Sequence, residues 1–179
     1  MENDDLLLRS VEIRDALTLY HWGHDPIYVK WARLASYPTL QAAVNGARVL
    51  ARRPESYAIV LKKSMKMIGL IELYHRTSCP KASEVGFLLD RAYWQKGYMT
   101  QALTLILCRA FQEMNQQEVW AVTLRENERA QKLLEKMGFE LKYDVDYEQI
   151  SPQLPFDEFN FLLKASDWHG THCKKKKPC

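Results

Sequence analysis

The stretch from Glu84 to Leu103, EVGFLLDRAYWQKGYMTQAL, constrains the fold more than any other part of the chain. Its beginning, Val85-Gly86-Phe87-Leu88-Leu89, is apolar without alternation, the pattern of a central strand buried on both faces. A short loop and Gly97 then lead into a helical pattern, with Leu103, Ile106, Leu107, Ala110, Phe111 and Met114 at three- and four-residue steps. The next apolar run, 118–124, reads as another strand. Strand, helix and strand in this order demand a parallel crossover, which is right-handed.

The flanking sequence adds elements on both sides of that unit. Residues 6–11 have strand composition, and Ile13, Ala16, Leu17 and Tyr20 share one helical face, closed by Gly23 and Pro26. Thr39 is a good N-cap for a second helix that buries Leu40, Ala43, Val44 and Ala47 and stops before Pro54. Strands are expected over 56–62, 67–75 and 83–89, the first two joined tightly enough for an antiparallel hairpin. A helix over 127–137 buries Ala130, Leu133, Leu134 and Met137, with Gly138 at its left-handed C′ position. Strands near 139–147 and 158–163 follow, with Pro152 and Pro155 between them. The expected fold is α/β (α+β), a mixed central sheet of about six to seven strands with helices on both faces. A single domain over 1–165 would carry a basic, flexible tail over 166–179.

Bulk properties exclude several classes. Hydrophobic residues at 47% and charged ones at 26% are globular proportions. No apolar run approaches the ~20 residues of a membrane span. The N-terminus is acidic where a secretory signal is basic, so a cytoplasmic location is expected. Cys79, Cys108, Cys173 and Cys179 have no CxxC pairing and read as free thiols. The net charge is +3, but Lys174, Lys175, Lys176 and Lys177 supply four positive charges, which leaves −1 for the rest. A near-neutral body lacks the phosphate-binding face of a duplex-binding protein, so nucleic acid is not an expected partner. The lysines read as a solvated terminus, with a weak electrostatic hold on RNA or an anionic membrane as the alternative. His169, His172 and Cys173 have no second ligand cluster, so no metal is expected.

The turn Gln95-Lys96-Gly97-Tyr98-Met99-Thr100 is the candidate binding site. The first N–H groups of a helix have no internal partner, and the helix dipole adds positive potential there. Such a place binds phosphate through the main chain. Gly97 admits close approach, Lys96 offers a cation and Thr100 a hydroxyl. A glycine at a strand-to-helix turn also has a purely structural reading. Neither GxxxxGK[ST] nor GxGxxG occurs, which excludes the common nucleotide loops.

SEVGFLLDRAYWQKGYMTQAL resembles the cofactor motif of the GNAT superfamily of N-acetyltransferases, especially its branch of RimJ- and RimL-like ribosomal-protein acetyltransferases. Leu8-Arg9, Asp15-Ala16, Tyr20 and Trp22 are similar to that branch's start. Asn127-Glu128-Arg129-Ala130 through Gly138-Phe139 is similar to its NxxSxxxLEKxGF. The resemblance implies acetyl-CoA as co-substrate and an amine acceptor, a protein N-terminus (a ribosomal protein's included) or a small molecule, with the chain a monomer or homodimer. It implies that main-chain groups of Phe87, Leu88 and Leu89 pair with the pantetheine arm and that residues 95–100 hold the pyrophosphate. Asn127 would contact the pantetheine region, and Lys132 a phosphate. Met99 stands where the family has Gly or Ala, so its side chain must point away from the phosphates. Ala130 replaces a frequent Ser, and the family's general-acid tyrosine falls at Leu134.

Transfer of acetyl from a thioester to an amine needs a polarised carbonyl, proximity and a base for the ammonium proton. An N–H near Leu88 would supply the first, and neither Cys79 nor Cys108 neighbours an activating His, so direct attack in a ternary complex is expected. Glu84 matches a catalytic glutamate of some superfamily enzymes and is the named base. Its alternative is pairing with a nearby Lys or Arg. Glu72 and His75 are backups, and His21 and His24 have position alone. Tyr20, Trp22, Tyr28 and Trp31 are either an acceptor-side wall or core packing. A catalytically silent coenzyme-binding sensor is the competing reading of the same features.

Overall fold

The computed structural model describes residues 1–76, 79–146 and 157–170; Pro152, Pro155, His172, Cys173, Cys179 and the four tail lysines lie outside them. In chain order the elements are β1 (Leu6–Ser10), α1 (Ala16–Gly23), α2 (Pro26–Trp31), α3 (Leu40–Arg52), β2 (Ser56–Leu61), β3 (Lys66–His75) and β4 (Ala82–Leu89). These are followed by α4 (Tyr98–Cys108), β5 (Glu118–Leu124), α5 (Glu128–Lys136), β6 (Glu140–Asp146) and β7 (Asp157–Lys164). Among the described residues seven strands form one sheet, ordered β1-β2-β3-β4-β5-β7-β6. Its one parallel pair is β4 with β5, where the crossover requires it.

Local chemistry accounts for most boundaries. Thr39 caps α3, its hydroxyl accepting from the Ala42 N–H at 3.1 Å. Gly138 follows α5 at φ 88°, a conformation that suits glycine. Pro26 does not simply close the first helix; it opens the extra helix α2. Asp25 accepts from the Ile27 N–H at 3.0 Å, and proline at the first helical position gives up no hydrogen bond. Cys108, at the end of α4, departs from the expected free thiol: it is disulfide-bonded, whereas Cys79 is free.

Alternation along the strands divides the apolar residues between two cores. On one face α4 and α5 bring Leu103, Ile106, Leu107 and Leu134 against Val85, Val119, Ala121 and Phe161. On the other, Leu19, Trp22, Ala43 and Ala47 from α1 and α3 cover Ala58, Val60, Leu70 and Leu88. Each fully buried leucine or isoleucine contributes about 1.5–3 kcal/mol relative to exposure. No helix among the described residues is long and apolar enough to cross a membrane.

The second core is pinned by a buried ion pair. Asp15, 4% exposed, accepts from Arg9 Nη1 and Nη2 at 2.7 and 2.8 Å and from the Glu12 N–H at 2.8 Å. Removing the carboxylate takes both close carboxylate bonds from the largely buried guanidinium, leaving it the Ser10 carbonyl and a looser contact with Glu12, and leaves the Glu12 amide without its acceptor. Asp15→Ala should therefore lower stability by about 3 kcal/mol, read as a lower urea midpoint with an unchanged slope.

Candidate active site

The sheet opens at its centre. β4 and β5 pair only at Ala82↔Glu118, Ser83↔Val119 and Glu84↔Trp120, and beyond Glu84 they diverge. β4 stays paired to β3 as far as Leu89, and β5 to β7 as far as Leu124. The Asp90 N–H donates to the Ile68 carbonyl, and the Arg76 N–H to the Ala82 carbonyl. Antiparallel alternation then assigns the main-chain groups of Glu84, Gly86 and Leu88 to β3 and turns those of Val85, Phe87 and Leu89 toward the gap. The Leu89 carbonyl already accepts from Trp94 Nε1 at 2.6 Å. Leu88 faces the cleft through its side chain, and its carbonyl is turned to β3, where a Cβ on Gly69 would lie 2.5 Å from it. Unpaired edge groups of this kind accept an extended ligand as an added strand.

At the wide end of the gap the chain forms an anion-binding concavity. Gln95 and Gly97 are left-handed, at φ 60° and 77°, on either side of a Lys96 with negative φ. Such alternation turns successive N–H groups to one side. Among the described residues, the amides of 95–100 donate to no protein acceptor. A Cβ on Gly97 would meet nothing within 4 Å, so this backbone faces open space. Met99 is 7% exposed and belongs to the core that α4 forms with the sheet.

A cleft of about 480 Å³ unites these features. Phe87, Leu88 and Leu89 line it from β4, and Gln95, Gly97, Tyr98, Met99 and Thr100 from the turn. Asn127 and Lys132 line it from the opposite wall. Asn127 Oδ1 caps α5 by accepting from the Ala130 N–H at 3.3 Å, which leaves its amide donors for a ligand. Lys96 is not in the lining: its ammonium donates to the Ala92 carbonyl at 2.8 Å. Lys132 pairs with Glu128 at 3.1 Å on the rim. Arg129, which sequence reasoning did not single out, holds its guanidinium 4.4 Å from the Trp94 ring centre and also lines the cleft. Leu134 is wholly buried, and Leu133 takes the cleft-facing place beside it.

Beyond Phe87 and Asn127 the cleft continues into the fork between β4 and β5, a space of about 300 Å³. Glu84 lines it and makes no hydrogen bond or ion pair among the described residues, against the pairing expected of a merely structural carboxylate. Thr123, 6% exposed, also faces this space, and its hydroxyl has no hydrogen-bond partner among the described residues. The alternation of β5 could have suggested Thr123, but its relation to the fork is tertiary.

The remaining candidates are elsewhere or occupied. Glu72 bonds Arg53 at 3.1 Å and accepts from the Tyr74 hydroxyl at 2.6 Å. Burial, then that carboxylate, pushes the Tyr74 pKa well above its ordinary value. His75 and His21 are exposed, and His24 is exposed with Nδ1 2.8 Å from the Tyr20 carbonyl. Trp22 and Tyr28 are buried core residues, whereas Trp31 stacks on Trp94 at 6.4 Å beside the cleft.

A forked sheet with an amide-lined turn at its mouth is an arrangement that can take an extended, anionic ligand. The family model described as "Acetyltransferase (GNAT) domain" matches residues 5–140, and the chain belongs to that family. An uncharacterised N-acetyltransferase of Bacillus licheniformis, p20, is 24% identical over 171 residues, covering 92% of this chain and 96% of its own. Two solved structures share the fold. One is a spermidine N-acetyltransferase from Vibrio cholerae in complex with CoA and spermine, with TM-score 0.76, 17% identity and coverage of 92% and 98%. The other is a ribosomal-protein-S5-alanine acetyltransferase from Vibrio fischeri, with TM-score 0.71, 21% identity and coverage of 94% and 97%.

Proposed function

We propose that the chain transfers acetyl from acetyl-CoA to a primary amine by direct attack in a ternary complex, with Glu84 as the base. The observation that carries this is the edge of β4, unpaired beyond Glu84, running from the amide concavity at 95–100 to a carboxylate without a partner among the described residues. The pyrophosphate occupies the concavity, where main-chain donors and the α4 dipole favour its charge. Arg129 and Lys132 add cations at the rim. The pantetheine arm continues down the gap against Phe87 and Leu89 and places the thioester in the fork.

There the Phe87 N–H polarises the carbonyl as charge develops on its oxygen. The amine nitrogen bonds the carbonyl carbon and loses a proton to Glu84, directly or through water. The C–S bond breaks, and the leaving thiolate takes up a proton from solvent. The Thr123 hydroxyl donates a hydrogen bond to that end of the donor. Sequence similarity to the RimJ- and RimL-like branch in both motifs favours a protein N-terminus or a small amine. The test is thiol release from acetyl-CoA in the presence of pooled amines and N-terminal peptides. Amine-dependent release with formation of an acetamide is expected. Tight coenzyme binding with no turnover on any acceptor would instead make the chain a silent sensor.

A further inference from the structure

A third cavity, of about 270 Å³, lies on the α3 side of the sheet and meets the fork at Tyr74, Gly86 and Phe87. Ala32 and Phe87 border all three cavities, so the donor cleft, the fork and this chamber adjoin one another at these two residues. Gly86 keeps the passage open: a Cβ there would lie 2.9 Å from the Tyr74 ring.

The charges around the chamber balance in a particular way. Arg53 is paired with Glu72, which is 7% exposed, and Arg33 is paired with Glu158. Glu84, which lines the adjoining fork, is a charge without an opposite partner among the described residues. The other walls include the side chains of Leu34, Leu50, Leu70 and Leu88. At the chamber's edge Tyr37 is 8% exposed, and its hydroxyl makes no hydrogen bond among the described residues.

We propose that this chamber takes the acceptor, and that the acceptor is a compact monoamine with an apolar alkyl or arylalkyl body. This rests on the acetyl-transfer reading above. One uncompensated carboxylate recognises one ammonium and then takes its proton. A second ammonium entering the chamber would lie beside Arg53 and Arg33, whose carboxylate partners are already engaged, and would meet no further carboxylate among the described residues that line it. The chamber's own volume, below the ~300 Å³ at which drug-sized ligands begin to fit, suits a compact body. Tyr37 can hydrogen-bond a hydroxyl or ring substituent on the amine's far end.

The experiment compares kcat/KM for phenethylamine, tyramine, spermidine and an alanine-terminated peptide on the full chain. Phenethylamine or tyramine should exceed spermidine by at least about tenfold, because discrimination here is charge rejection as well as fit. In Arg53→Ala, Glu72 loses its cation, and the ratio of a diamine such as cadaverine to phenethylamine should rise by about tenfold. Spermidine or the peptide turning over faster than both monoamines in the unaltered chain overturns the proposal while leaving acetyl transfer intact. Acetylation of no amine at all defeats the acetyl-transfer reading itself. An unchanged diamine ratio in folded Arg53→Ala also counts against the charge argument.

Discussion

Gly97→Val should weaken coenzyme A binding by about a hundredfold, or about 2.7 kcal/mol, in calorimetry. The residue sits at φ 77° between a left-handed Gln95 and the first turn of α4, and its missing Cβ faces open space. A valine there places two methyl groups where the diphosphate must come within hydrogen-bond distance of the amides. It also favours a backbone that would reorient those amides. The left-handed conformation costs a branched residue about 1–2 kcal/mol, so stability should fall by that amount while the chain stays folded. Gly97→Ala separates the two effects. Its single Cβ meets no protein atom, so stability falls by about 1 kcal/mol from the backbone alone, and any larger loss of affinity reports the ligand's approach. Folded Gly97→Val with undiminished affinity would place the diphosphate elsewhere.

Glu84→Gln should lower kcat by at least about a hundredfold, the lower end of what a positioned base contributes, and leave coenzyme A affinity within a factor of about two. The amide preserves shape but takes no proton. Because Glu84 has no ion pair or hydrogen bond among the described residues, the substitution breaks nothing that holds the fold. The melting temperature should therefore stay the same. Steady-state rates on the preferred amine, together with a calorimetric titration of coenzyme A, decide the matter. A kcat near that of the unaltered chain would remove Glu84 from the reaction, whatever becomes of the donor site.

Much of the scaffold was readable because it is written in local chemistry. The run 118–124, the Thr39 cap and Gly138 all signal through a residue's own backbone preferences or its nearest neighbours, and each stands where expected. Helix α2 was missed because Pro26 reads equally well as a stop and as a first helical residue. The choice belonged to Asp25, whose carboxylate caps the new turn. The order β5-β7-β6 was equally out of reach. β7 slips between its two neighbours by pairing with both, and period-two alternation in one strand does not name its partner.

The same division runs through the site. By itself the sequence determined an apolar central strand, a glycine turn at the mouth of a helix and a second amphipathic helix ended by Gly138. Each follows from short-range sterics and from the helix's own orphan amides. Only the tertiary structure decided that β5 leaves β4 after Glu84, that Leu88 spends its main chain on β3 while Phe87 does not, and that Lys96 folds back onto Ala92. It alone paired Glu72 with Arg53 and left Glu84 without a hydrogen bond or ion pair among the described residues. The physical reason is range. Backbone preference acts over a few residues, whereas the divergence of two strands and the balance of charge around a cavity depend on groups far apart in the chain that meet only once it has folded.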